Sequence, residues 1–210
     1  MKNTILYLIA STFLTLTSFG SKLGDSTVGI GIGQLEFEVA GLKFDDISFD
    51  INVNNAFIKT DEFGLDYNLN LLRGKLDGPS STELSVTKYN FLVKPYYNLD
   101  SLSFFVSLGL SGLSSGIEGE DVLNKNSFIY GVGTQFDLGK LTFTPSIDFP
   151  NYGIPGEGFI YNLPLTYSLT NSIDTSINYE YYDFDSFTNS LGNADKVKAS
   201  YLSIGVGYKF

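Results

Sequence analysis

The chain has 210 residues, with 13 Lys and Arg against 23 Asp and Glu and a formal net charge of −10, which argues against a nucleic-acid partner because phosphate binding needs a basic surface. It contains no cysteine, which removes disulfides, thiolate chemistry and Cys-based zinc or iron–sulfur sites. With 18 Phe and 14 Tyr but no Trp, any interfacial aromatic belt must be built from Phe and Tyr. Mean hydropathy is only +0.06, as expected where apolar and polar residues take turns along strands.

In chain order, the first element is a signal segment. Lys2 supplies a positive start, residues 5–16 are mostly apolar and uncharged, and Ser18 and Gly20 are small residues spaced for a signal peptidase. Residues 1–20 are therefore expected to be cleaved, since the apolar run is shorter than the roughly 20 residues a spanning helix needs. No later stretch is an apolar helix candidate, so a membrane would have to be crossed by strands.

Period-two patterning then predicts about ten strands, each near the 9–11 residues of a tilted barrel strand. Val28, Ile30 and Ile32 alternate with Gly29, Gly31 and Gly33, after which the apolar parity moves to Leu35, Phe37 and Val39. A β-bulge near Gly33 is expected to absorb that one-residue slip. Ile47, Phe49, Ile51 and Val53 mark the next strand, whose return through residues 54–62 is poorly defined. A strand ending at Tyr97 carries Tyr89, Phe91, Val93 and Pro95 on its outer face, and clear alternation runs at 63–71, at 102–110 and at 128–138, where Ile129 is the one apolar exception. It resumes at 141–149, 159–169 and 173–181. Pro95 and Pro145 are awkward in a closed sheet and are expected at a strand end or bulge.

Tight turns at 98–101, 139–140 and 170–172 alternate with longer polar segments at 73–83, 113–126, 150–157 and 183–196. The expected fold is all-β: residues 21–210 form one transmembrane antiparallel up-and-down β-barrel of about ten strands, with eight as the alternative. Both termini are expected in the periplasm, with short turns there and long loops outside. A soluble lipocalin-like barrel also alternates, but its solvated exterior would carry more Lys and Glu than the Gly, Ser, Thr and Asn of this non-apolar face.

At the end of the chain Leu202, Ile204, Val206, Tyr208 and Phe210 alternate with Ser203, Gly205, Gly207 and Lys209. Ser203, Gly205, Tyr208 and Phe210 resemble the C-terminal assembly signal of bacterial outer-membrane β-barrels. The resemblance implies a place in the outer membrane, contact with its lipid and lipopolysaccharide, and insertion by the barrel-assembly machinery. It names no specific function.

Chemistry is sparse. The barrel enzymes, namely palmitoyl transferases, lipid A deacylases, phospholipases and omptin proteases, share a dependence on histidine, and this chain has none. No catalytic residue, metal site or cofactor is assigned. Asp66, Asp137, Asp148, Asp174 and Glu180 fall on the lumen face, where Lys88, Lys94 and Lys209 are expected to pair with them. Gly29, Gly31 and Gly33 are a small-residue lumen face and no phosphate loop, since no helix follows. Glu118, Glu120 and Asp121 read as a solvated acidic loop, as their spacing matches no EF-hand. Tyr179, Tyr181, Tyr182, Phe184 and Phe187 read as an interfacial girdle. The expected function is a non-enzymatic structural or surface-interaction role through the outer loops. The alternative is a narrow channel for small, preferentially cationic solutes.

Overall fold

The computed structural model describes residues 26–39, 41–117, 120–151, 158–188 and 194–210. The signal segment and Glu118 lie outside them, as do the side chains of Glu120, Asp121 and Phe187. Among the described residues eleven strands form one closed antiparallel sheet: β1 (Thr27–Val39), β2 (Leu42–Lys59), β3 (Phe63–Asp77), β4 (Glu83–Leu99), β5 (Leu102–Ile117), β6 (Glu120–Leu138), β7 (Leu141–Phe143), β8 (Ser146–Pro150), β9 (Gly158–Ser168), β10 (Ile173–Thr188) and β11 (Ala194–Lys209). β7 and β8 both pair with β6 and β9, so they are two halves of one wall position and the barrel has ten. β1 closes the ring against β11.

The break between β7 and β8 falls at Thr144 and Pro145, which removes a backbone donor where the wall can least spare one. Bonds from Thr134 N to Pro145 O and from Thr144 N to Pro164 O, each 3.0 Å, carry the wall across the gap. Pro95 lies inside β4 opposite Leu65, while the pairing of β4 with β5 skips from Val93 to Tyr96. At the tight turn between β6 and β7, Gly139 takes φ +74°, a left-handed conformation that side chains disfavour.

The strands are longer than the alternation indicates, running to 19 residues in β6. Residues 73–77, 83, 113–117, 120–126 and 183–188, expected as loop, belong to strands. The return after Asn54 is also strand, with one register irregularity between Ala56 and Ile58.

No bulge interrupts β1. Its pairing with both neighbours runs unbroken from Thr27 to Val39, so Gly29, Gly31, Gly33, Leu35, Phe37 and Val39 all point inward. The side chains change polarity while the backbone keeps its parity. The same exchange occurs around the barrel. On β3 the outward residues run Phe63, Leu65, Tyr67, Leu69, Leu71 and then Arg73, Lys75, Asp77; the inward ones run Asp66, Asn68, Asn70 and then Leu72, Gly74, Leu76. On β4 Pro95, Val93, Phe91 and Tyr89 give way outward to Thr87, Ser85 and Glu83, and Lys88 gives way inward to Val86 and Leu84. On β11 Leu202 follows Ser200 and Lys198 outside, while Tyr201, Ala199 and Val197 are buried within.

Two stacked barrels therefore share one set of strands. In the half nearer the termini an apolar belt faces out and small or polar groups face in. Its outward runs, such as Leu202 to Phe210 and Phe128 to Leu138, rise about 20–25 Å at ~3.3 Å per residue and ~40° tilt, close to the ~25 Å apolar band of outer-membrane barrels. In the half nearer the long connections the outside is polar. Its inside is a conventional hydrophobic core of Leu35, Phe37, Val39, Phe44, Leu72, Leu76, Leu84, Val86, Phe184 and Val197, each at most 8% exposed. Ile129, which breaks the alternation of β6, is an inward residue of this core at 0% exposure.

Candidate functional site: the barrel lumen

The lumen has three levels. At the end nearer the termini is a polar cavity of about 960 Å³, lined by hydroxyl and amide groups including Asn68, Gln135, Thr142, Thr166 and Ser168. Small inward side chains leave this space open, as Gly207 illustrates: a Cβ built there meets only Val28 O, at 3.8 Å.

Above the cavity lies a buried charged layer. Lys88 on β4 reaches across the lumen to β10, where it donates to Glu180 Oε2 at 2.5 Å and to the Tyr182 hydroxyl. Tyr182 donates to the same carboxylate, and Asn178 donates to its other oxygen at 3.2 Å. Removing two charges from water is costly, and these added donors are the means by which a buried pair offsets that cost. Asp148 is held by Ser107 and, at 2.7 Å, by Asn162. Tyr201 donates to Asp50 at 2.8 Å. The Lys94 ammonium stands over the Phe105 ring, 5.3 Å from its centre, and Lys94 is the register partner of the buried Asp66.

At the third level the apolar core fills the barrel. A void of about 20 Å³ within it is lined by residues such as Leu35, Phe37, Leu72, Phe184 and Val197.

All eight charged residues expected in the lumen occupy inward positions. Lys88 pairs with Glu180, and Lys209 lies 2.9 Å from Asp174 Oδ1. Asp137 instead accepts from Gln135 at 3.2 Å and from Thr142 at 2.9 Å. Sequence reasoning missed Asp50, Ser107, Asn162, Asn178 and Tyr201. Period two within the predicted strand gives Asp50 an inward parity, but nothing in the sequence joins it to Tyr201. Of the aromatic group on the last hairpin, Tyr179 and Tyr181 face outward; Tyr182 and Phe184 face in and belong to the core. Gly29 and Gly31 are cradles for Asn52 and Asp50, whose side chains lie where a Cβ would stand. Among the described residues no three carboxylates gather as a metal site would require.

Tyr208 and Phe210 project outward at the end of β11, Ser203 and Gly205 inward, and Phe210 N donates to Ser26 O at 3.0 Å. On the polar outer surface Lys43 lies 2.9 Å from Glu36. That hydrogen bond and charge raise the Lys43 pKa.

No family model matches the chain, and no curated protein matches it in sequence. Its structure is similar to that of the outer membrane protease OmpT from Escherichia coli, with a TM-score of 0.62 at 10% identity, over 92% of this chain and 99% of that one. It is also similar to Neisserial surface protein A, with a TM-score of 0.50 at 15% identity, over 88% and 96%. The fold is that of an outer-membrane β-barrel. At these identities the likeness is one of architecture, and site chemistry has to be argued from this chain's own residues.

Proposed function

We propose that this protein is a non-enzymatic, non-conducting outer-membrane barrel with a structural or surface-interaction role. It sits with both termini in the periplasm and its polar half outside the cell. The observation that carries this reading is the apolar core that fills the lumen beyond Lys88 and Glu180. Ions crossing it would have to shed their hydration among mostly Leu, Val and Phe side chains, which offer nothing in exchange for the lost water. The orientation is supported by the short connections at the end that holds the termini. The absence of histidine from the chain supports a non-enzymatic role, as do lumen carboxylates such as Asp148 and Glu180 that are taken up by structural donors.

On this reading the strand extensions form a rigid platform that rises about 15 Å beyond the membrane and offers its rim to lipopolysaccharide and external partners. The C-terminal residues Ser203, Gly205, Tyr208 and Phe210 serve as the assembly signal for the barrel-assembly machinery.

Recording from planar bilayers tests the central element. The folded protein should insert without producing discrete conductance steps. Steady, cation-selective openings would overturn the reading and favour the narrow channel.

A further inference from the structure

The level at which the faces exchange polarity marks where hydrocarbon ends, so residues on the first outward rung beyond it stand at headgroup height. Most of these rungs are neutral, among them Thr87 on β4, Asn126 on β6 and Ser200 on β11. On β3 the rung is Arg73, the only arginine in the chain. Arg73 is exposed and has no ion pair or side-chain hydrogen bond among the described residues.

Its surroundings are those of a lipid-facing shelf. Arg73 pairs in register with Phe49 on β2 and Thr87 on β4. Phe49 is 60% exposed and Leu71, the next outward residue below, 44%. The following rung holds Lys75, whose ammonium is 2.7 Å from Glu83 in a solvent-exposed pair; such pairs bind weakly and exchange partners at little cost. Beyond it Asp45 and Asp77 face each other. The charge therefore runs from cationic at the membrane edge to acidic above, which confines an anion to the Arg73 rung. A planar guanidinium with no protein partner suits a phosphate, which it can bind through two parallel hydrogen bonds.

We propose that Arg73, above the shelf of Phe49 and Leu71, docks the headgroup phosphate of a lipid in the outer leaflet, with the acyl chains lying along the apolar belt. This inference rests on the membrane placement proposed above and adds a partner chemistry and a residue to it. Lys43 on β2 stands two rungs further out than Ile47, beyond reach of a lipid phosphate, and is already held by Glu36.

The test uses folded protein in mixed micelles with bis-phosphorylated lipid A or with the same lipid after phosphatase treatment. Native mass spectrometry counts the lipids retained. The unaltered protein should keep the phosphorylated form about fivefold better, the scale of one charge-assisted contact. Arg73→Gln should bring the ratio near one, Arg73→Lys should leave it intermediate, and Lys43→Gln should leave it unchanged. A ratio that survives Arg73→Gln overturns the proposal. Insertion of each variant into phosphatidylcholine vesicles is followed in parallel by the mobility change between boiled and unboiled samples. Insertion with a ratio indifferent to Arg73 overturns the docking site alone. Failure of the unaltered protein to insert overturns the membrane placement and the docking site with it.

Discussion

The two halves of this barrel are built on the same strands, in the same register, with opposite chemistry. Near the termini the outer face is Leu, Ile, Val and aromatic while the lumen is hydroxyl, amide and charge. Beyond Leu71, Tyr89 and Leu202 the outer face is Glu, Lys, Asn and Ser, and the interior is a packed apolar core. A strand has no intrinsic preference for which of its faces is greasy. The solvent on the outside decides, and here the solvent changes from lipid to water part-way along strands such as β1, β3, β4 and β11. The core-like half then serves as the closure of the half that faces lipid.

This contrast predicts that equivalent substitutions have different costs at the two levels. The largest effect is expected inside the polar-faced half. Phe37→Ala removes a ring that is 2% exposed and should cost about 3–5 kcal/mol, as large-to-small changes in packed cores do. Thr166→Ala, which lines the polar cavity, should cost less than about 1 kcal/mol, since water replaces its hydroxyl's partners. Both are read from urea unfolding of protein folded in lipid vesicles. Equal costs would mean the upper interior is not a core.

Next comes the outer face, with both substitutions on β6. Val132, at the middle of the belt, should cost about 2–4 kcal/mol when changed to Arg, and Val106 on the adjoining strand should behave alike. Asn124→Arg, eight residues along the same face of β6 and exposed, should shift stability by no more than about 0.5 kcal/mol. Similar penalties at Val132 and Asn124 would erase the proposed boundary. The smallest effect is expected at Lys43→Gln, where the pair with Glu36 is exposed to solvent and no change in the unfolding midpoint should be detectable.

The sequence made the lipid-facing half legible because alternation there is strict and points one way. Leu102 to Leu110 and Leu202 to Phe210 need only period two to be placed. Where the apolar set moves to the other face, the same rule fails. Residues such as Leu113, Ser115 and Ile117 on β5 look like the dissolution of a strand into polar loop, and Leu35 to Val39 looks like a register slip. In physical terms a slip and a change of surroundings leave the same trace in the apolar pattern, and only the unbroken pairing of β1 with β2 and β11 separates them. The lumen charges were placed by parity. Which lysine meets which carboxylate is not legible, because Lys88 and Glu180 are 92 residues apart and meet across the barrel.

The exchange of faces is tested most directly along β3. The chain has no cysteine, so single spin labels can be attached at Leu65→Cys, Leu69→Cys, Leu71→Cys, Arg73→Cys, Lys75→Cys and Asp77→Cys without other changes. Collision rates with oxygen, which concentrates in lipid, and with a water-soluble nickel chelate are then measured in vesicles. Oxygen should dominate at positions 65, 69 and 71, and nickel at 75 and 77, with the crossover at 73. Nickel dominating at Leu69, or oxygen persisting through Asp77, would contradict the account.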